Sequence, residues 1–294
     1  MPAWEEIVGG LRRRRCLFLG GGGFKTLSFM GVIDTLGWKH FAHVSGVSAG
    51  SVLALLLALG SSPSEAVELV LTDEHLLRGG FSLARLCHGQ TPMEPRVLRQ
   101  GFVSMLETKG VRADVTLAEL ASRARQRGGA EFSAICFCLQ TCQLERFSSS
   151  SHPNVPVVDL LLACVAIPLL CSPVALTGPD ELYCDAGLVN SCPLSFFDAT
   201  DTVALVARWQ IPAETVTFPQ TINLRCNFTA QMSLERNRAL GMEVLHVPSP
   251  QPGVSLLSRA TTPVSAFMDT GSFYTIVYIL KAEILGFLAV LQSV

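Results

Sequence analysis

The segment Gly46-Val47-Ser48-Ala49-Gly50 constrains this chain more than any other because it joins two buried elements through a tight turn. The residues before it are typical of a short strand, and residues 49–59 are apolar on every side, which predicts a buried helix. Glycines on both sides of a serine let the backbone pass close to its neighbours. Such a strand–serine–helix turn is typical of an enzymatic nucleophile, although the same letters also occur in simple small-residue turns. Ser48 is therefore a candidate nucleophile.

A second glycine-rich turn, Gly20-Gly21-Gly22-Gly23-Phe24-Lys25, follows the apolar run Cys16-Leu17-Phe18-Leu19. A nucleoside-triphosphate loop needs glycine where Phe24 stands, and a dinucleotide-binding turn needs glycine where Thr26 stands. A row of exposed backbone N–H groups remains, and such a row can stabilise an oxyanion. In one β-α-β unit both turns would lie at the carboxyl ends of adjacent parallel strands, where open α/β sheets carry their sites.

Asp185 is the candidate acid or base for this site. It follows the short apolar run Leu182-Tyr183-Cys184 and precedes a turn that contains Gly187. A solvated turn aspartate is the alternative interpretation of the same residues.

Strands and helices alternate along the chain, which predicts an α/β fold with a largely parallel, buried sheet. Further strands are expected at 132–139 and 203–206, and helices at 27–36 and 117–127. Ser62 as N-cap, Pro63 and Glu65 predict another helix start. No repeat or linker divides the chain, so we expect an N-terminal extension at 1–11 and one domain at 12–294.

Composition excludes several functional classes. Lys and Arg number 22 against 24 Asp and Glu, a net charge of −2 that argues against binding to nucleic acid. The ten cysteines form no CxxC pair, so no zinc site is expected, and a reduced, intracellular chain is favoured. Residues 1–10 lack the apolar core of a secretory signal.

Two apolar stretches bear on membrane contact, since hydrophobic residues make up 49% of the chain. Residues 160–179 carry no charge but contain three prolines, so a buried loop and strand is favoured over a membrane span. Residues 272–294 are expected to form a buried C-terminal helix, with docking on a membrane surface and a true membrane span as the alternatives. The Arg12–Arg15 run is either a solvated edge or a contact for anionic lipid.

Taken together, the motifs resemble those of patatin-like phospholipases, a family of serine acyl hydrolases. Gly21-Gly22-Gly23-Phe24-Lys25 is similar to the family's glycine-rich block, Gly46–Gly50 to its GxSxG elbow, and Asp185–Pro193 to its DG[GA] block. Ala163–Pro168 with Pro173-Val174 resembles the segment that precedes that aspartate. The resemblance covers about Cys16 to Phe197. It implies a three-layer fold in which helices flank a central, largely parallel sheet.

The resemblance also implies a mechanism. Ser48 would be the nucleophile and Asp185 the general base of a two-residue dyad, with the backbone N–H groups of Gly21, Gly22 and Gly23 as the oxyanion hole. No cofactor or metal is required. The implied substrates are carboxylic esters of glycerophospholipids or acylglycerols at a membrane or lipid-droplet surface. The implied location is the cytoplasm, with peripheral membrane association. Apolar residues following residue 75 are candidates for a cap over the site: Leu76, Leu77, Phe81, Leu83 and Leu86.

Three departures from the family pattern leave alternatives open. Gly20 and Thr26 flank the glycine block where other residues are common, and Ala186 replaces the usual middle glycine of the third block. A catalytically inactive lipid-binding relative is therefore one alternative. The other is an α/β-hydrolase triad of Ser48, Asp185 and His246, since only His246 follows the acid in the chain.

Overall fold

A computed structural model describes residues 9–73, 75–76, 82, 85, 88–207 and 235–247 of the chain. Four of the five candidate cap residues and the whole of 272–294 lie outside these ranges, so the cap and the C-terminal helix stay predictions. So does the proposed domain division.

The centre of the fold is one eight-stranded sheet. Five of the strands are β1 (Cys16–Leu19), β2 (His43–Val47), β3 (Glu131–Cys138), β7 (Thr202–Ala207) and β8 (Glu243–Val247). They run parallel to one another, in the spatial order β8-β7-β1-β2-β3. The strands expected at residues 16–19, 132–139 and 203–206 and just before Ser48 are confirmed. Because all five parallel strands run in one direction, their carboxyl ends meet at one edge of the sheet.

The remaining three strands are antiparallel additions around β3: β4 (Gln143–Ser148), β5 (Val174–Ala175) and β6 (Leu182–Asp185). Residues 133–135 of β3 pair with β2 and β4 at the same time, whereas residues 136–138 pair with β4 and β6. β2 and β6 therefore lie on the same edge of β3, and the carboxyl ends of these two strands are next to each other.

Six α-helices and three 3₁₀ helices are described. The α-helices are α1 (Phe29–Leu36), α2 (Ala49–Ala58), α3 (Pro63–Thr72), α4 (Pro95–Thr108), α5 (Leu117–Arg127) and α6 (Val157–Cys164). The 3₁₀ helices span Gly23–Ser28, Ala186–Leu188 and Leu194–Phe196. α2 is buried almost throughout, as its uniformly apolar sequence predicts. The expected capping box of α3 is also confirmed, since Ser62 accepts from the Glu65 N–H and the Glu65 carboxylate accepts from the Ser62 N–H.

The two faces of the sheet bury different cores. Along β1, Leu17 and Leu19 belong to the large core that the helices build, whereas Phe18 points into a smaller core on the opposite face. The strand β7 alternates in the same way. Residues from the segment that follows Asp185 belong to the smaller core, so this segment packs against the same face of the sheet as Phe18.

Two local expectations were wrong in detail. Residues 160–164 are the end of α6 rather than part of a loop and strand, because a fully buried helix carries the same unbroken apolar run as a buried strand. The helix expected from residue 27 begins at Phe29, after a 3₁₀ turn. Within the described ranges, no helix has the length and apolar character needed to cross a bilayer.

Candidate active site

Ser48 occupies the turn between β2 and α2 in a backbone conformation that has positive φ, with φ 55° and ψ −133°. A non-glycine residue with such angles costs about 1–3 kcal/mol and is typical of functional sites. Ser48 is the N-cap of α2, yet its hydroxyl makes no capping hydrogen bond. The strained turn therefore directs the hydroxyl away from the helix.

The glycines of this turn are required by close backbone packing. A Cβ atom on Gly46 would lie 2.4 Å from the carbonyl carbon of Gly50. A Cβ atom on Gly50 would lie 2.3 Å from the carbonyl oxygen of Leu19, at the end of β1. The turn thus fits only if both positions lack a side chain, as its sequence predicts.

Ser48 and Asp185 are in direct contact. The Ser48 Oγ atom donates a hydrogen bond of 2.6 Å to Oδ2 of Asp185, and the Gly187 N–H donates one of 2.7 Å to Oδ1. Both residues are buried, with 5% and 3% of their surface exposed. Each carboxylate oxygen has a defined donor, which fixes the carboxylate plane against the serine.

The sheet register explains this contact between residues 137 positions apart. Val47, the last residue of β2, pairs with Ile135 of β3, and Asp185 pairs with Cys136, the next residue of β3. The chain leaves the sheet at Ser48, next to the point where β6 ends at Asp185 on the same edge of β3. The site therefore lies at the junction of a parallel and an antiparallel strand.

Burial raises the pKa of Asp185 from 3.8 to about 6, because an ionised carboxylate is poorly stabilised away from water. The hydrogen bonds from Ser48 and the Gly187 N–H oppose this rise. The carboxylate is consequently a stronger base than an exposed aspartate, while it remains largely ionised at neutral pH.

The glycine turn after β1 packs beside the serine. A Cβ atom on Gly21 would lie 3.4 Å from Cβ of Ser48, so the Gly21 backbone is in van der Waals contact with the serine turn. The N–H of Gly21, however, donates to the carbonyl oxygen of Ser191 at 3.0 Å. This bond corrects the expectation for Gly21, because its proton is already engaged. In the described part of the chain, the N–H groups of Gly22 and Gly23 have no recorded acceptor.

The loop after Asp185 connects the acid to the glycine turn, and sequence reasoning gave it no role. Oδ1 of Asn190 accepts from the N–H of Cys192 at 2.8 Å, an Asx-type turn. Between them, Ser191 presents its carbonyl to Gly21. Asn190 and Ser191 are both buried. An asparagine five residues after the acid was the available signal for such a turn.

Ala186, a departure from the family pattern, fits its position. It lies in a 3₁₀ helix without positive φ and is fully buried in the smaller core with Phe18 and Val47. A methyl group is therefore accommodated where the family usually has glycine. Thr26, a second departure, is buried, and its hydroxyl donates to the Gly23 carbonyl at 2.8 Å within the 3₁₀ turn.

His246 lies away from the dyad. It is on β8, where it pairs with Val206 of β7, so three strand spacings, about 14 Å, separate its strand from β2. The direct Ser48–Asp185 bond leaves no imidazole between the two side chains. This geometry favours a dyad over the triad alternative.

Known proteins resemble this chain in sequence and in fold. The sequence profile described as "Patatin-like phospholipase" matches residues 17–198. A protein named "Probable lipid hydrolase 463L" from Invertebrate iridescent virus 6 is 22% identical over 183 residues, which is 61% of this chain and 62% of the viral protein.

Solved structures share the fold. VipD from Legionella pneumophila superposes with a TM-score of 0.58 at 18% identity, over 92% of this chain and 67% of VipD. The type III effector ExoU of Pseudomonas aeruginosa gives a TM-score of 0.51 at 15% identity, over 92% of this chain and 53% of ExoU.

The matched profile extends over more than half of the chain and includes the glycine turn, the Ser48 elbow and Asp185. The three blocks that carry the sequence resemblance are also those that the fold brings together. This chain belongs to the patatin-like phospholipase family.

Proposed function

We propose that this protein is a serine lipid acyl hydrolase that cleaves carboxylic ester bonds through an acyl-enzyme on Ser48, with Asp185 as general base. The observation that carries the proposal is the 2.6 Å hydrogen bond from the Ser48 hydroxyl to a buried carboxylate. A hydroxyl already bonded to its base is the arrangement that nucleophilic catalysis needs.

In the first half of the reaction, the Ser48 oxygen attacks the ester carbonyl carbon while its proton moves to Oδ2 of Asp185. The carbonyl electron pair moves to oxygen, and the N–H groups of Gly22 and Gly23 stabilise the resulting oxyanion, each contributing about 3–4 kcal/mol in the transition state. The tetrahedral intermediate then reforms the carbonyl and expels the alcohol, which takes the proton from Asp185.

In the second half, Asp185 accepts a proton from a water molecule as that water attacks the acyl-enzyme. Collapse of the second intermediate releases the fatty acid and returns the proton to Ser48. Asp185 is thus used twice as base and twice as acid, for which a pKa near 6 is well placed at neutral pH.

The substrate class follows from the family and from the apolar surroundings of the dyad. The viral relative is named as a probable lipid hydrolase, and the buried site lies between two apolar cores. We propose glycerophospholipids or acylglycerols as substrates, met at a membrane or lipid-droplet surface by an intracellular protein with peripheral membrane association.

Replacing the nucleophile tests the proposal. Ser48→Ala is expected to lower kcat/KM for a soluble ester and for phospholipid vesicles by a factor of about 10⁵ or more, and to abolish labelling by a fluorophosphonate. The matched control is Ser51→Ala, one turn further along α2, which removes a buried hydroxyl without a hydrogen-bond partner among the described residues. Full activity is expected for this control.

Two outcomes would contradict the proposal. Ester turnover retained by purified Ser48→Ala protein would exclude the acyl-enzyme. A wild-type protein that binds lipid but neither hydrolyses esters nor reacts with the fluorophosphonate would indicate the inactive, lipid-binding alternative. For the triad alternative, His246→Ala is decisive, since the dyad predicts little change in turnover.

A further inference from the structure

Large apolar side chains are exposed at four described positions, and they are not evenly distributed over the molecule. Leu139, Leu169 and Val189 are 39%, 74% and 37% exposed and belong to segments at the dyad end of the sheet. Leu240, at 58%, precedes β8 and lies at the opposite end. Leu169 is the most exposed of the four.

Leu169 is also held in a backbone conformation that leucine disfavours. Its φ is +72°, and only Ser48 and Cys142 among the other described non-glycine residues have positive φ. Glycine would adopt this conformation without strain and would expose no apolar surface. Both the strained backbone and the exposed side chain are unfavourable for leucine in water, and burial of the side chain in an apolar contact would offset the cost of its exposure.

The turn that carries Leu169 is fixed on both sides. The N–H groups of Leu170 and Cys171 donate to the carbonyl of Ile167, which closes the turn at 3.0 and 2.8 Å. The Leu170 carbonyl accepts from the N–H of Met93 at 3.0 Å, and Cys171 is buried. These hydrogen bonds close the turn and hold Leu169 in its exposed position.

This turn is joined directly to the catalytic acid. The N–H of Asp185 donates to the carbonyl of Ala166 at 3.1 Å, three residues before Leu169. An apolar surface in contact with Leu169 would therefore lie close to the Ser48–Asp185 dyad.

The surroundings of Leu169 favour a lipid over an aqueous contact. Residues 160–179 contain no charged side chain, and Pro168, Ser172 and Pro173 beside Leu169 are exposed. Entry of residues 160–179 into a bilayer interface would desolvate no charge of their own, and desolvation of charge is the main cost of such insertion.

We propose that Leu169 inserts into the acyl region of a phospholipid surface and docks the mouth of the Ser48–Asp185 site on it. This inference rests on the proposed function, because it assigns the contact through which that site would reach its lipid. The occupant is a bilayer of phospholipid, and a protein partner is an alternative that the test separates.

The experiment measures vesicle binding without hydrolysis, using the whole 294-residue chain with the Ser48→Ala substitution. Leu169→Ser is expected to weaken binding to phosphatidylcholine vesicles by about tenfold, since one buried leucine side chain is lost from the interface. Leu169→Phe is expected to retain binding. Leu240→Ser, a matched exposed leucine at the other end of the sheet, is expected to leave binding unchanged.

A second measurement uses protein with Ser48 intact and compares hydrolysis of vesicles with that of a water-soluble short-chain ester. Leu169→Ser is expected to lower the ratio of the two rates about tenfold. An equal loss with both substrates would overturn the proposal, since Leu169 would then act by positioning Asp185. Equal vesicle binding by the Leu169→Ser and Leu240→Ser proteins would also overturn it, as would a change of oligomeric state on Leu169→Ser without a change in vesicle binding.

The two proposals fail in different ways. If wild-type protein hydrolyses neither substrate, the proposed function fails, whereas the binding comparison in the Ser48→Ala background still decides the role of Leu169. If hydrolysis of the soluble ester depends on Ser48 but vesicle binding is unchanged by Leu169→Ser, only the membrane-docking role of Leu169 fails.

Discussion

The two glycine-rich turns that follow β1 and β2 look alike in sequence, but they need glycine for different reasons. In the turn after β2, a side chain on Gly46 or Gly50 would meet backbone atoms within 2.4 Å. In the turn after β1, a Cβ on Gly21 would meet its nearest neighbours at 3.4 Å, and one on Gly22 would meet the side chain of Ala207 at 2.8 Å. The first turn is constrained by packing against rigid backbone, whereas the second has room for small shifts.

This difference matches the roles proposed for the two turns. The turn after β2 must hold one hydroxyl at 2.6 Å from a carboxylate, so it is packed tightly. The turn after β1 must present main-chain N–H groups to a substrate, so those of Gly22 and Gly23 are left without acceptors in the described chain. Glycine therefore provides rigidity in one turn and accessible donors in the other.

The largest expected effect is the loss of the fold on Gly50→Ala. The new Cβ would lie 2.3 Å from the Leu19 carbonyl oxygen, and neither backbone segment can move without displacing a central strand. We expect a loss of more than about 4 kcal/mol in the free energy of unfolding, measured by urea denaturation. The control Gly178→Ala, whose Cβ meets nothing within 4 Å, should be neutral. Equal stability of the two variants would show that the turn is looser than described.

The second largest effect is expected from replacing Asp185, the acid that faces the turn after β2. Asp185→Asn keeps the size of the side chain, and its amide oxygen can still accept from the Gly187 N–H, but it is no longer a base. We expect kcat/KM to fall about 10³–10⁴-fold. Turnover by this variant within tenfold of wild type would remove Asp185 from the mechanism.

The raised pKa of Asp185 also sets a pH dependence. Wild-type kcat/KM should rise with pH and level off above about 6, where the carboxylate is ionised. Stability should change in the opposite direction, because the folded state holds this proton more tightly than the unfolded state. Between pH 3.8 and about 6 the wild type should therefore lose about 3 kcal/mol relative to Asp185→Asn. A constant difference in unfolding free energy across this range would contradict the buried carboxylate.

A moderate effect is expected in the β1 turn. Gly22→Ala brings a Cβ to 2.8 Å from Cβ of Ala207, which should shift the oxyanion donors and lower kcat/KM about 10–100-fold without unfolding the protein. The double variant Gly22→Ala/Ala207→Gly removes the collision and should recover most of the activity, with Ala207→Gly alone as control. Failure of this rescue would mean that the turn does not act through its geometry.

The smallest effect is expected where the chain departs from its family. Ala186→Gly should leave kcat/KM nearly unchanged, because Ala186 has no positive φ and its side chain packs in the smaller core. Stability should fall by about 1–2 kcal/mol, since a buried methyl group is lost and the backbone gains freedom when unfolded. A large change in turnover with unchanged stability would show that the third block tunes the dyad.

Much of the fold was predictable because the parallel strands and α2 carry strong local patterns. The capping box at Ser62 and the apolar run of α2 are signals that neighbouring residues set on their own. Other features depend on distant partners. The strand that ends at Asp185 was recognised, but its antiparallel direction and its place beyond the end of β2 depend on pairing with β3.

In the candidate site, too, some features follow from local sequence and others from distant contacts. Ser48, Asp185 and the glycine turn could be identified as chemical groups from their motifs. That the Gly21 proton is held by Ser191 could not, because the two residues are 170 positions apart and meet only through the loop that Asn190 shapes. The exposed, strained position of Leu169 was hidden within an apolar run that also fits a buried segment.

The sequence by itself determined which groups are present: a serine in a turn that only glycine flanks permit, a row of main-chain donors, and an acid at the end of a strand. These follow from residue chemistry and local backbone geometry. The tertiary structure decided which groups meet, because β2 and β6 end next to each other on one edge of β3, and strand register over 137 residues is set by long-range pairing. It also set the basicity of Asp185, since burial is a property of the folded surroundings and not of the aspartate itself.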